Sequence, residues 1–579
     1  MKKSPIFGLF VCALALGISG GASAQTDFAA KIQKAREVLA TPLVGEKEWD
    51  KSAQRSRQNR EAAQLLFEAA LEEPKSQKFA LAFEAGELFR REYRPEEAAK
   101  AYNLAIENPK NAPPEQLGIA ALHAAKEFQQ ADHNRGKDKG NAAQVIAAYA
   151  KSLAVPRVLP AQKAQIHTDF GAYLERKEKF WEAAQNYEQA AILTPPDFTK
   201  SPSEQDMRFY NARTNAQKLP PSPQIRAFME GVFERQLGVK NAAPDPKNRA
   251  YALSGLRSDY AQAMLGQNAP EKALELWKQS AADASLPFDV RYRALKNGAT
   301  ELSKKGQFKG AAQLWTLAIG SNQTSEFWEL EAHLGLAEAL AAQNKWQDAR
   351  AALQKIVDSP KQSAARKEEF ALEIADFWGR EAASLPKNSA PQKAAIAGAR
   401  AALNTLIARK DIAPKTLYGA IIERAEIESR FGSMDDARAG LLLAVGLFGE
   451  PTGYSMGLRN NVARLFLHEK KWREAIDAIP VFVRVILPVE PNTDGYEIAG
   501  KVFDGALAAK DWAAAAYAAQ KMESWRGVNQ YSHLRRLKIE VESGDFAAAR
   551  ARLPLMEKVW MTEISKKEFA ALKAKIPAN

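Results

Sequence analysis

Six histidines are the residues of this sequence best suited to metal binding or proton transfer, because imidazole is a metal ligand and titrates near neutral pH. They lie far apart, at His123, His133, His167, His333, His468 and His533. No two of them have the His-Glu-x-x-His spacing that places two zinc ligands on one face of a helix. We therefore interpret them as surface or packed residues and predict no metal site.

Sequence motifs for nucleophilic or nucleotide-dependent catalysis are also missing. There is no Gly-x-Ser-x-Gly elbow and no glycine-rich loop that ends in Lys-Ser or Lys-Thr. The single cysteine is Cys12, so the rest of the sequence offers no disulfide and no thiolate metal site. We predict a protein without catalytic residues and without cofactors.

One segment, residues 132–140, superficially resembles an ion-binding turn. Asp132, Asn134 and Asp138 supply oxygen atoms there. The segment lacks the bidentate glutamate of an EF-hand calcium loop, and its three basic residues oppose a cation. We interpret it as a solvated connection between two helices.

Eleven tryptophans invite comparison with sugar-binding surfaces. Trp277 and Trp315 each lie four residues after an alanine, however, and Trp346, Trp472 and Trp512 each follow a short turn. Equivalent positions along a repeated pattern favour packing over contact with a ligand. We predict that these side chains contribute to the core.

The repeated pattern defines the elements that must position any site. Residues 78–109 and 165–195 share one order of small and large residues along two helical runs. That order is Ala85-Gly86, Phe89, Ala98, Tyr102, Ala105 and Pro109 in the first copy, and Phe170-Gly171, Leu174, Ala183, Tyr187, Ala190 and Pro195 in the second. Small residues such as Gly171 and Ala183 let two helices cross closely, and the proline ends the second helix.

Further copies of this pattern follow along the chain. They carry the small residue of the second helix at Ala273, Ala311, Ala349, Ala399, Ala437, Ala475, Ala515 and Ala549. Most are followed four residues later by a large apolar residue, and each is preceded by a turn such as Lys305-Gly306-Gln307.

This order of residues resembles the tetratricopeptide repeat. The resemblance implies an all-α fold, an α-solenoid of stacked antiparallel helix pairs in a right-handed superhelix, because one pair cannot bury its own apolar face. Ala273, Ala311 and Ala349 are spaced more widely than the roughly 34 residues usual for the repeat. We therefore expect degenerate repeats with longer linkers.

Proline-rich interruptions suggest how the solenoid is divided. We predict N-terminal repeats at 25–200, a proline-interrupted helical connection at 201–248 and C-terminal repeats at 249–579. One continuous array is equally compatible with the sequence. Shorter breaks are expected at 384–392 and 486–495.

The resemblance also implies where a partner binds, because the first helix of each pair lines the concave surface of such a superhelix. The candidate residues on that surface are Arg293, Lys296, Thr300, Lys304, Arg459, Asn460 and Arg464. A basic stripe of this kind could hold an acidic peptide or a carboxylate. Thr300 stands where chaperone-binding members of the family have asparagine, so their carboxylate clamp is not reproduced, and a solvated helix face remains an alternative.

The start of the sequence predicts export. Lys2 and Lys3 precede an apolar run at 6–16 and the small residues at 22–24, an order typical of a secretory signal peptide at 1–24. No later stretch approaches the roughly 20 apolar residues of a membrane-spanning helix. We predict a periplasmic or secreted protein that begins at Gln25 after cleavage.

A lipoprotein is the alternative interpretation of this segment, with Cys12 as the site of lipid attachment. Lipoprotein signals have a small residue directly before the cysteine, and this sequence has Val11 there. We therefore disfavour lipid anchoring.

Net charge and export together narrow the class of partner. The formal net charge is +12, but the basic residues are scattered, which also fits a solvated surface. An exported protein is not expected to bind nucleic acid. Acidic segments of other envelope proteins, or an anionic glycan or wall polymer, fit a mild basic excess better.

These observations predict a non-catalytic scaffold for protein–protein interaction that serves an envelope assembly or export machine. The alternative is a component that processes cell wall or polysaccharide, either an enzyme or a glycan-binding adaptor, with the superhelix as its binding groove. Lytic transglycosylases and polysaccharide porins carry similar superhelices, but we do not expect their additional domains in this sequence.

Overall fold

The computed structural model describes residues 25–45, 47–73, 77–134, 141–200, 202–320, 326–448, 452–481, 493–559 and 561–577. The predicted signal peptide, with Cys12, lies outside these residues. So do residues 135–140 of the predicted turn and 486–492 of a predicted break.

The regular structure of the described residues consists of α-helices and one 3₁₀ helix, Pro109–Asn111. The chain divides into two compact units. The first unit ends at Ala294 and contains α1 (Gln25–Ala40), α2 (Glu48–Glu72), α3 (Lys78–Arg91), α4 (Pro95–Ile106), α5 (Pro114–Asn134), α6 (Ala142–Ala154), α7 (Pro160–Arg176), α8 (Phe180–Leu193), α9 (Glu204–Gln217), α10 (Pro223–Asn241), α11 (Pro246–Gly266) and α12 (Pro270–Ala282).

The second unit begins at Leu295, within α13 (Phe288–Lys304). It continues with α14 (Phe308–Gly320), α15 (Glu326–Ala341), α16 (Trp346–Asp358), α17 (Ala364–Ser384), α18 (Ala390–Ile407), α19 (Pro414–Phe431), α20 (Met434–Phe448), α21 (Gly453–His468), α22 (Trp472–Ala478), α23 (Thr493–Ala508), α24 (Trp512–Arg526), α25 (Gln530–Ser543), α26 (Phe546–Met556) and α27 (Glu563–Ala574). This confirms the predicted all-α class.

Local sequence accounts for where these helices begin. Proline occupies the first turn of several of them, as at Pro160 and Pro270, where its fixed φ suits the helix and its missing N–H costs no hydrogen bond. Others begin at a side-chain cap. Ser203 accepts from the backbone N–H of Asp206, whose carboxylate in turn accepts from the backbone N–H of Ser203.

Consecutive helices pack in pairs, and the pairs stack on one another within each unit. The odd-numbered helix is the first member of each pair and the even-numbered helix is the second. All eight alanines predicted at the helix crossings, together with Ala98 and Ala183, are buried on even-numbered helices. The prediction of tetratricopeptide-like helix pairs is therefore confirmed at the level of fold.

The turn inside most pairs contains one residue with left-handed backbone geometry. This residue is Tyr93, Glu178, Asn268, Gly306, Asn344, Lys470, Lys510 or Gly544, with φ between 53° and 81°. Its position explains the recurrent polar turn in the sequence, because the chain must reverse within a few residues.

Large side chains fill the space between the crossing helices. Trp277 and Trp315 are buried, and Trp346 and Trp472 are half-buried against the core, as predicted from their equivalent positions. Trp512 is half-buried. The proline-interrupted segment 201–248 forms α9, α10 and the start of α11; its proposed role as a divider stays a prediction. In the part of the chain that the structure describes, no helix is both long and apolar enough to cross a bilayer.

Candidate binding surfaces

The odd-numbered helices form one face of the stack in each unit, here called the first-helix face. Several of them contact the next odd-numbered helix directly, as α5 contacts α7 and α17 contacts α19. Among the described even-numbered helices, only α22 and α24 make comparably close contact. The repeat pattern predicts that this face is the concave one, and that assignment stays a prediction.

Ion pairs connect neighbouring odd-numbered helices along the first-helix face. Each joins a cation on one helix to a carboxylate on the preceding or the following odd-numbered helix. The pairs are Arg36 with Glu84, Lys126 with Asp169, Lys296 with Glu331, Arg380 with Glu338, Lys415 with Glu369, Arg464 with Asp494 and Lys538 with Asp504. Much of the positive charge on this face is therefore balanced inside the protein.

The predicted binding residues on α13 take part in this internal pairing. Arg293 Nη2 lies 2.6 Å from Asp289 Oδ2, and Lys304 Nζ lies 2.7 Å from Glu301 Oε1, both within α13. Lys296 Nζ lies 2.5 Å from Glu331 Oε1 on α15. Thr300 Oγ1 donates to the carbonyl of Lys296 at 2.9 Å.

The predicted residues on α21 converge on Asp494 of α23. Asn460 is buried, and its Nδ2 donates to Asp494 Oδ2 at 2.9 Å. The guanidinium of Arg464 pairs with the other oxygen of the same carboxylate. Arg459 is half-buried on α21. The structure thus brings together Asn460 and Arg464 at Asp494, whereas the residues of α13 have other partners.

Acidic residues also occupy the first-helix face, between α17 and α19. Glu423 lies on α19, and burial raises its pKa to about 7, with Glu426 and Asp376 acting in the same direction. Burial likewise raises the pKa of Asp376 and that of Glu373 on α17. A uniformly basic stripe therefore does not extend along the second unit.

His123 and Asp132 are both held by contacts within the first unit. Burial lowers the pKa of His123 to about 4, and its ring stacks on Tyr102 with centroids 5.4 Å apart. Asp132 is buried and accepts from the backbone N–H of Asn141 at 2.6 Å, which closes the connection between α5 and α6. Among the described residues, no cluster of histidine and acidic side chains could hold a metal ion.

Grooves open on the opposite side of the stack, where the even-numbered helices are the walls and an odd-numbered helix is the floor. One lies between α16 and α18 above α17, and another lies between α18 and α20 above α19. Both have volumes near that of a small-molecule site, about 580 and 570 Å³. Sequence reasoning did not anticipate them.

A repeated Arg–Glu pair joins three of the second helices to the following first helix or to its C-terminal cap. Arg350 pairs with Glu381 at 2.5 Å, Arg400 Nε donates to Glu428 at 3.1 Å, and Arg438 pairs with Glu469. Each arginine directly follows the alanine of its repeat. That regular position was a signal in the sequence that could have identified these pairs.

The groove between α18 and α20, called the α18–α20 groove below, has an exposed apolar end. Leu443 and Leu447 line it with 81% and 62% of their surface exposed, and Leu442 beside them is 47% exposed. Ile407 and Ile421 complete this end. Burying such side chains against a partner is favourable by about 25 cal/mol per Å² of apolar surface.

The other end of the α18–α20 groove is charged. Arg400 and Arg424 both pair with the buried carboxylate of Glu428, and Asp436 lies at the start of α20. Arg424 Nε also donates to Asn404 Oδ1 at 3.2 Å. The groove therefore has a definite polarity, from a charged end to an apolar end.

Comparisons with known proteins find similar solved structures. No protein-family model matches the chain, and no curated protein matches it. Similar solved structures include the pentatricopeptide repeat protein PPR10 from maize, with 13% identity over 95% of this chain and 78% of that chain at a TM-score of 0.32. They also include Naa15/Naa10 bound to HypK-THB, with 14% identity, coverage of 86% and 78%, and a TM-score of 0.26.

The tetratricopeptide domain of P58(IPK) is a third such structure, with 14% identity over 68% of this chain and 99% of that chain at a TM-score of 0.17. Scores this low support no argument from these proteins to this chain. The class of the protein rests instead on its own helix pairs, buried alanines and recurrent turns, which define an α-solenoid of tetratricopeptide-like repeats.

Proposed function

We propose that this chain is a non-catalytic scaffold that binds a protein segment in the α18–α20 groove. The observation that carries the proposal is the exposure of Leu443 and Leu447 beside an open groove of about 570 Å³. Contiguous exposed apolar side chains next to polar residues mark interaction surfaces in soluble proteins.

The shape of the groove favours an amphipathic helix as its occupant. Its lining on α20 runs from Asp436 to Leu447, which at 1.5 Å per residue is about 17 Å, or roughly three helical turns. Leu443 and Leu447 are four residues apart and so form one stripe along the wall. A partner helix with apolar residues at the same spacing would cover that stripe.

The charges at the opposite end orient this occupant. Because Arg400 and Arg424 are half-buried and Asp436 is exposed, the polar end of the partner helix lies against these three residues. Its apolar residues lie against Ile407 and the exposed leucines. We therefore expect the partner helix to bind along the groove in one orientation only.

We extend the proposal to an exported protein that acts with envelope assembly or export proteins. Its support is the sequence at 1–24, with two lysines, an apolar run and small residues before Gln25. Cell fractionation and N-terminal sequencing of the native protein test it. A mature chain that begins at Gln25 in the periplasmic or secreted fraction is expected; an uncleaved cytoplasmic chain contradicts it.

Site-specific crosslinking tests the groove itself. A photoreactive residue is introduced at Leu443, and the same residue at Leu555, an exposed leucine on α26, is the matched control. We expect Leu443 to crosslink a defined protein segment with helical apolar spacing that Leu555 does not capture. The captured segment is then synthesised and its affinity is measured by fluorescence anisotropy.

Leu443→Asp is expected to weaken this affinity at least tenfold, because a carboxylate would be buried against apolar surface. Leu555→Asp should leave it unchanged. Identical crosslinks at both positions, or equal affinity for both variants, would contradict the groove as the binding site. A crosslinked glycan in place of a protein would favour the polysaccharide-binding alternative.

A further inference from the structure

A second, smaller cavity lies where α24 ends and α25 begins. It has a volume of about 230 Å³, and its wall includes Arg526, Tyr531, Arg535 and Tyr496 of α23. No aspartate or glutamate is among the described residues that line it. The cavity is thus positively charged, in contrast to the balanced first-helix face.

The two arginines of this cavity lack the carboxylate partner that most arginines of the second unit have. In the part of the chain that the structure describes, neither Arg526 nor Arg535 has an ion pair. Arg526 instead stacks on the ring of Tyr496, with its guanidinium carbon 3.7 Å from the ring centroid. Arg535 is half-buried, and the acids nearest to it, Asp504 and Glu568, act on it without a direct contact.

The adjacent Arg536, by contrast, has a carboxylate partner. Its guanidinium is held by Glu523, with Nε donating to Oε2 at 2.9 Å. Asp504 is engaged by Lys538 at 3.5 Å. The guanidinium groups of Arg526 and Arg535 are therefore the ones left available to an anion from outside the chain.

Two backbone N–H groups at the start of α25 are already engaged within the chain. Asn529 Oδ1 accepts from the backbone N–H groups of Tyr531 at 2.9 Å and Ser532 at 3.2 Å. Ser532 Oγ accepts from the backbone N–H of Asn529 at 2.7 Å. Phosphate sites at helix starts use such N–H groups, but here they are satisfied within the chain.

We propose that this cavity binds a carboxylate group between Arg526 and Arg535. A guanidinium presents parallel N–H donors that match the two oxygens of a carboxylate. Stacking of Arg526 on Tyr496 leaves the edge of its guanidinium plane available for this contact. Because a water molecule occupies roughly 30 Å³, the cavity admits a group the size of one side chain or one chain terminus.

Burial lowers the pKa of Arg535, and the charge of Arg526 acts in the same direction. A bound carboxylate would offset the cost of holding these two cations close together. The inference does not depend on the α18–α20 groove, so either can fail alone.

Calorimetric titration of the purified protein tests the proposal with defined probes. N-acetyl-glutamate amide carries a side-chain carboxylate, and N-acetylglycine carries a terminal carboxylate. N-acetyl-glutamine amide and inorganic phosphate are the comparison ligands. We expect saturable binding of at least one carboxylate probe, weakening as salt increases, and much weaker binding of the amide and of phosphate.

Arg535→Gln and Arg526→Gln should each reduce the affinity at least tenfold. Arg536→Gln is the matched control. It removes the same charge at the neighbouring position, but Arg536 is already paired with Glu523. It should bind as the wild type does. If Arg535→Gln fails to fold, Arg535→Lys, which keeps the charge but loses the planar donor pair, should still bind more weakly than the wild type.

Three results would overturn the proposal. These are absence of carboxylate binding to the wild type, equal loss of affinity in Arg536→Gln and Arg535→Gln, and phosphate binding as tight as carboxylate binding. Of the two carboxylate probes, the one that binds more tightly identifies the source, an acidic side chain or a chain end.

Discussion

Gly86 of α3 lies directly against the ring of Tyr102 of α4. A Cβ added to Gly86 would stand 2.8 Å from Cε1 of that ring. The ring cannot easily retreat, because it is buried, stacks on His123 and donates from its hydroxyl to Glu87 at 2.7 Å. Gly171 of α7 and Tyr187 of α8 repeat the relationship two helix pairs later, where an added Cβ would stand 3.2 Å from the ring.

Gly86→Ala should therefore destabilise the protein. Overpacking costs about 1 to 3 kcal/mol, which exceeds the gain of up to about 1 kcal/mol from replacing glycine by alanine in a helix. The measurement is the free energy of unfolding in denaturant. Gly255→Ala is the matched control on α11, where an added Cβ meets nothing within 4 Å; this variant should be more stable than the wild type.

Ala183→Leu probes the same kind of crossing from the second helix. Ala183 is fully buried on α8, so three additional carbons must displace neighbours. We expect a loss of about 1 to 3 kcal/mol in the free energy of unfolding. Unchanged stability in both heat and denaturant would show that the crossing has room that the structure does not show.

The positions of these crossings could be predicted from the sequence because they depend on local periodicity. Ala273 and the later alanines recur at one place in each pair, and all are buried as predicted. The partner of Lys296 could not be predicted, because Glu331 lies on α15 and its position depends on how the helices stack. The α18–α20 groove could not be predicted either, because it also depends on how the helices stack. The run Leu441-Leu442-Leu443 does indicate an apolar face on α20 that is wider than packing against one neighbouring helix requires.

Glu423 should make stability depend on pH. Its pKa is raised from 4.5 to about 7 in the folded protein, so between these values the folded state holds a proton that the unfolded state has released. Stability therefore falls as the pH rises from about 4.5 through about 7. The groups that act on it are Glu426 and Arg430 of α19 and Glu373 and Asp376 of α17.

Glu423→Gln removes this titration and should raise the melting temperature at pH 8 more than at pH 5. Glu563→Gln, at an exposed position of α27, is the control and should shift the melting temperature equally at both pH values. The check is the difference between variant and wild-type melting curves from pH 5 to 8. A Glu423→Gln difference that is flat across this range would contradict the assignment.

The pair between Arg350 and Glu381 should contribute more than an exposed ion pair does. Both side chains are mostly buried, and the guanidinium lies 3.3 Å from the ring centroid of Trp378. Arg350→Met keeps contact with the ring but leaves the carboxylate unpaired, at a cost of about 1 to 3 kcal/mol. Adding Glu381→Gln to this variant should recover part of the lost stability. A double-mutant cycle on the free energy of unfolding measures the coupling between the two residues. If the two single changes add exactly, the pair is not coupled.

The predicted basic residues of the first-helix face call for a test that separates binding from folding. Reversing Lys296 alone would place a carboxylate beside Glu331, so Lys296→Glu should lower stability by up to about 1 kcal/mol. Combining it with Glu331→Lys restores an ion pair in which the cation is on α15 and the carboxylate is on α13. The melting temperature of the double variant should return close to that of the wild type.

The double variant Lys296→Glu, Glu331→Lys then tests whether the position of the cation on the first-helix face affects binding, because its stability matches that of the wild type. If an acidic partner segment binds at Lys296, the double variant should bind it more weakly than the wild type, because its cation has moved to α15. Arg464→Gln, which removes the ion pair with Asp494, should also weaken binding. Raising the salt concentration from about 0.1 M to 1 M shortens the screening length from about 10 Å to about 3 Å and should release the partner from the wild type. Equal affinity of wild type and double variant at every salt concentration would exclude this face and leave the α18–α20 groove as the surface that holds the partner.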